Sequence, residues 1–136
     1  MITLDASLLI AHLSPNDSHH GTATAYLRNH ADEPLLIHSL NLAEVLVGGV
    51  RAGRGQELLN DLHAIGLRVA DQYAGESLRL ATLRVETGLK LPDCCALDAA
   101  LTSGSALATF DERLAAVART RHLEVGPAPA ESDTPG

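Results

Sequence analysis

The chain has 136 residues, a net charge of −7 at neutral pH, one Phe, two Tyr and no Trp. That length fits a single domain able to bury roughly two-thirds of its unfolded surface, so no second domain is needed. So few aromatic rings demand an aliphatic core and limit base stacking as a binding device, and the acidic balance disfavours a broad basic face for nucleic acid.

In chain order, residues 1–4 form a short apolar strand ending at Asp5, and residues 6–13 a helix carrying Leu8, Leu9 and Leu13. This apolar opening is too short to cross a bilayer and has no basic leader, so a cytoplasmic, membrane-free protein is expected. A loop with capping residues, 14–18, leads to a helix at 20–29. Residues 35–37 are a buried strand, and Ser39 or Asn41 caps the next helix, 40–49, which carries Glu44 near its start. Glycines at 48, 49, 53 and 55 mark that helix's end before an amphipathic helix at 56–65. A strand at 67–70 and a long helix at 74–87 follow. Pro92 disfavours a helical Leu91, so the next helix begins close to Asp93 and stops at Ser103-Gly104-Ser105. Residues 105–109 are a buried strand handing over, after Phe110, to a helix at Asp111. A last strand lies at 123–125, and the Pro-rich stretch 126–136 is a flexible tail. The domain thus spans residues 1–125.

Short all-apolar strands alternating with helices predict an α/β fold, a three-layer α/β/α sandwich around a mainly parallel sheet. Right-handed crossovers then put successive strand-to-helix junctions on one edge of the sheet. Asp5 and Asp111 leave strands at that edge, and Asp93 and Glu44 sit near helix starts able to face it. Each acid alone is equally an ordinary helix cap. Together they form a costly anionic cluster, since each like-charged pair about 4 Å apart repels by about 4 kcal/mol at an effective dielectric near 20. Proton sharing or a hard divalent ion, Mg²⁺ or Mn²⁺, would relieve it, whereas no Cys/His spacing suits zinc. Metal-assisted phosphodiester hydrolysis is the chemistry such a centre supports. The four site acids and the tail acids Glu131 and Asp133 account for most of the negative charge, which leaves room for a local Arg patch.

Asp5 with Ser7 after the first strand, Glu44 in Leu-Ala-Glu-Val-Leu, Pro92-Asp93 opening a helix, and Thr109-Phe110-Asp111 before Glu-Arg-Leu resemble the PIN domain, specifically the VapC toxins of toxin–antitoxin pairs. The resemblance covers residues 1 to about 125. It implies a Mg²⁺-dependent endoribonuclease acting on structured RNA such as transfer or ribosomal RNA. It also implies a homodimer, held inactive by a VapB antitoxin whose C-terminal segment enters the cleft. Carried over, Asp5 and Asp93 are the principal metal ligands, Glu44 and Asp111 complete the acidic site, and Ser7 and Thr109 orient the ligands.

Other polar residues carry weaker signals. Asp98, five residues beyond Asp93 on one helix, is rotated about 140° from it and so suits a solvated face or helix pairing rather than the same ion. The adjacent Cys94 and Cys95 fit neither a normal disulfide nor a zinc pair and are expected as core thiols. The scattered histidines fit surface or capping roles, and Arg51, Arg54, Arg113, Arg119 and Arg121 either bind phosphates or are plain solvated charge. Two rival functions remain: a receiver-like phosphoacceptor module, and a catalytically idle PIN-like protein that only binds RNA or antitoxin. The receiver needs a strand-borne lysine, whereas the only lysine, Lys90, precedes Pro92.

Overall fold

Three-residue apolar runs between turn formers can bury both faces only inside a covered parallel sheet, and residues 2–4, buried throughout, are used that way. The structure, a computed structural model, describes residues 1–128. Strands β1 (Ile2–Leu4), β2 (Leu35–Ile37), β3 (Leu67–Val69), β4 (Ala106–Ala108) and β5 (Val125–Gly126) pair in parallel in the order β3-β2-β1-β4-β5. The connections are helical: α1 (Ala6–Leu13), α2 (His20–Asn29), α3 (Ser39–Arg51), α4 (Gly55–Ala64), α5 (Glu76–Thr87), α6 (Leu91–Ser103) and α7 (Glu112–Thr120).

Two apolar clusters sandwich the sheet. One joins Ile2, Leu4, Leu35, Ile37 and Ala108 to side chains of α1, α2, α3 and α4. The other joins Leu107 of β4 to side chains of α5, α6 and α7. Alternation along β4, with Leu107 and Ala108 in different clusters, shows the period-two pleat separating the layers. The expected three-layer α/β/α architecture is therefore the observed one. Thr3, buried within β1, keeps its hydroxyl satisfied by sharing a 2.7 Å hydrogen bond with the Ser105 hydroxyl, to which Ser103 also donates.

Several boundaries differ from the sequence-based expectation for physical reasons. Helix α3 runs through Gly48 and Gly49 to Arg51 instead of ending there. Gly49 serves close packing: a Cβ there would lie 3.0 Å from the Leu58 side chain of α4. The α3 cap is neither Ser39 nor Asn41 but His38, whose Nδ1 accepts from the Leu40 N–H at 3.0 Å. Helix α6 starts at Leu91 rather than near Asp93, with Pro92 in its first turn, where a missing N–H costs nothing. Gly126, expected in the tail, belongs to β5 and pairs with Ala108. Residues 129–136 of the expected tail lie outside the described residues.

The strand order places the site. From β1 the chain runs outward through β2 to β3, then returns to β4 on the other side of β1. The crevice between β1 and β4 is thus the topological switch point, where open α/β sheets bind ligands. Leu4 is in register with Ala108. Asp5 and the Thr109-Phe110-Asp111 turn therefore leave the sheet side by side.

Candidate active site

Asp5 is buried at the β1–α1 junction. It occupies the N-cap position of α1 in an extended conformation, but its carboxylate makes no cap hydrogen bond. Both neighbouring hydroxyls point at its Oδ2 instead, Ser7 at 2.9 Å and Thr109 at 2.6 Å. The Phe110 N–H donates to Ser7 Oγ at 3.1 Å and the Asp111 N–H to Thr109 Oγ1 at 2.9 Å. Two backbone amides of the β4–α7 turn thus hold two hydroxyls, and those hold one carboxylate oxygen. Such a chain orients Asp5 as an acceptor and ties β1 to β4 through side chains as well as through the ladder.

Asp111 is exposed and does cap: its Oδ1 accepts from the Leu114 N–H at 2.9 Å at the start of α7. Glu44 is an exposed residue in the second turn of α3. Its Oε1 accepts from Asn41 Nδ2 at 3.2 Å, and the same amide group donates to the Pro92 carbonyl at 3.0 Å. Asn41 is fully buried, with its Oδ1 unpartnered among the described residues. It therefore fixes Glu44 relative to the first turn of α6, where Asp93 stands.

Asp93 is half-buried, and its carboxyl group is pushed up from 3.8 to about 6. Burial is the largest cause, followed by the negative charges of Asp111, Asp5 and Glu44, with Lys90 pulling the other way. Acids of three other elements thus lie near enough to act on Asp93. The set offers only oxygen, which suits a hard divalent ion rather than zinc. Among the described residues, no three His, Cys, Asp or Glu side chains stand close enough to enclose a metal by themselves. An ion held here would keep water in its remaining positions, the habit of Mg²⁺.

Asp98 is not part of this cluster. It is buried and bound by Arg79 of α5 through Nε at 2.9 Å and Nη2 at 3.2 Å, so it pairs helices rather than facing solvent. Cys94 and Cys95 are buried free thiols, and burial raises both, Cys95 to about 11. Neither is a reactive nucleophile. Among the arginines, Arg54 pairs with Glu57 and Arg121 with Glu86.

A sequence profile of the PIN domain matches residues 2–120. The chain belongs to the PIN-domain family. Solved structures with this PIN fold include a toxin–antitoxin complex from Klebsiella pneumoniae, 24% identical with a TM-score of 0.69 over 82% of this chain and 87% of that one. VapBC2 from Rickettsia felis, bound to a DNA fragment from their promoter, is 18% identical with a TM-score of 0.67 over 93% and 98% of the two chains. PAE2754 from Pyrobaculum aerophilum is 24% identical with a TM-score of 0.56 over 85% and 84%. No curated protein sequence gives a significant match. No helix among the described residues is long and apolar enough to cross a membrane.

Proposed function

We propose that this PIN domain is the VapC-type toxin of a toxin–antitoxin pair, a cytoplasmic Mg²⁺-dependent endoribonuclease that cleaves structured RNA, with Mn²⁺ as an alternative ion. The observation that carries the reading is Asp5 held by Ser7 and Thr109 at the sheet's switch point, with Asp5, Glu44 and Asp111 near enough to help raise the Asp93 carboxyl group. Asp5 and Asp93 would hold the ion, and Glu44 and Asp111 would complete the acidic shell directly or through water. Bound there, Mg²⁺ supplies charge neutralisation at a phosphate oxygen and a more acidic water. Ser7 and Thr109 keep Asp5 aimed, Asn41 keeps Glu44 in place, and exposed Lys90, close enough to act on Asp93, offers a cation to the RNA backbone.

An antitoxin segment fits an open groove of about 470 Å³ beside Glu44, lined among others by Ile10, Leu13, Val45, Val47 and Arg54. Ile10 is 42% and Leu13 40% exposed there. A homodimer is part of the same proposal, and the exposed Leu78 and Val85, seven residues apart on α5, offer an apolar face for it.

Purified protein incubated with total RNA should produce discrete fragments in Mg²⁺ and none in EDTA, with 5′-end sequencing locating the cut. Intact RNA under every metal tried removes the enzyme reading. Thr109→Val removes one of the two hydroxyls aimed at Asp5 and should weaken Mg²⁺ binding about tenfold, the usual effect of losing a ligand-orienting partner. Titrating the Mg²⁺-induced rise in Tm measures this, and an unshifted titration would show that Asp5 needs no such support.

A further inference from the structure

We propose that His19 and Phe110 form a stacking platform beside the carboxylates that holds one unpaired nucleobase of the substrate; this rests on the ribonuclease reading of the cleft. Aromatic side chains are scarce in this protein, and its single Phe is placed between Thr109 and Asp111. The Phe110 ring packs on the core, and the His19 imidazole lies flat over it, with centroids 4.3 Å apart and planes within 10°. Phe110 is half-buried and His19 exposed, so the two-ring stack ends in a solvent-facing ring.

The backbone that carries this ring is fixed on both sides, and the ring itself rests on Phe110. The His19 N–H donates to Asp17 Oδ1 at 2.8 Å, and its carbonyl accepts from the Ala23 N–H at 2.9 Å. Little freedom is then lost when a base settles on it. The platform is also tied to the acids: the Phe110 N–H reaches Asp5 through Ser7 Oγ alone. A base stacked there places its own phosphates at the mouth of the acidic crevice.

Every nucleobase has a π-face, so the platform selects for an unpaired, splayed nucleotide more than for a particular base. A structured RNA would then be cut at a loop or bulge. The other two histidines of this region are committed elsewhere, His12 to Thr24 Oγ1 and His20 to the Ala11 carbonyl.

The test uses fluorescein-labelled RNA decamers, one of adenylates and one with the same backbone but no bases. Their binding is followed by anisotropy in Ca²⁺ with strand integrity checked on gels. Wild-type protein should prefer the adenylate decamer. His19→Ala should weaken that binding about tenfold and leave the base-free decamer unchanged, while His19→Tyr restores it. Equal loss on both decamers would mean a charge or structural role, and no preference in the wild type would mean no base contact; either overturns the platform. Thermal unfolding of His19→Ala within about 2 °C of wild type would confirm that the comparison is between folded proteins. Base-selective binding without cleavage of any RNA would sink the enzyme and spare the platform, and cleavage without base selectivity would do the reverse.

Discussion

Asp93→Asn is expected to cut the rate of RNA cleavage in Mg²⁺ by about a thousandfold or more, and to leave the metal-free protein as stable as the wild type or more so. Both halves follow from the same charge. In the folded protein the Asp93 carboxyl group titrates at about 6 against 3.8 ordinarily, so the unfolded chain releases its proton first. Stability from the protonated form is fully present below about pH 4 and is lost as pH rises through about 6. Asp93 is half-buried, and solvent screening brings the penalty at pH 7 to about 1 kcal/mol. Favourable contact with the α6 N-terminus is worth about 0.3–1 kcal/mol, and the upward shift shows that burial and repulsion outweigh it. Asparagine removes the charge, so thermal unfolding in EDTA at pH 7 should shift upward by about 3 °C, the difference vanishing near pH 4. Added Mg²⁺ should reverse the order by stabilising the wild type more. A variant that melts far lower across the whole pH range would make Asp93 a helix-capping residue, and retained cleavage would remove it from the site.

The sequence revealed the acids and concealed what holds them. Asp5 and Asp111 were legible because three-residue apolar strands followed by helices fix which edge of a parallel sheet a junction occupies. Local pattern cannot show that Asp5 leaves its helix uncapped while Asp111 caps, because the difference lies in Thr109 reaching across from the turn after β4, more than a hundred residues away. Asn41 was read only as a possible cap; its real partners are Glu44, one helical turn on, and a carbonyl 51 residues distant. An Asn three residues before a candidate acid on one helix was the available signal. His38 took the cap role because a ring nitrogen with the right tautomer substitutes for the usual short oxygen side chain, and its Nε2 then reaches Glu76 of α5. The aromatic count pointed to few stacking surfaces, but counting cannot reveal that the His19 imidazole lies on the ring of Phe110, the residue before Asp111.

Arg79→Met is expected to lower the melting temperature by about 10 °C. Asp98 is buried on α6 and both its oxygens are taken by one guanidinium, which also donates through Nη1 to the Ala74 carbonyl at the entry to α5. Removing the cation strands a carboxylate in the interior and frees the start of α5 together. The double variant Arg79→Met/Asp98→Leu leaves no stranded charge, so most of the loss should be recovered, because the cost of the single variant lies in the unpaired buried carboxylate rather than in the lost ion pair. Cleavage separates the two acids of α6. At 140° around the helix from Asp93, Asp98 has no route to the same ion, and the folded double variant should cleave RNA within about twofold of the wild type. An unchanged melting temperature in Arg79→Met would mean that solvent, not the guanidinium, satisfies Asp98. Loss of cleavage in a stably folded double variant would instead place Asp98 among the working acids and require α6 to bend toward the crevice between β1 and β4.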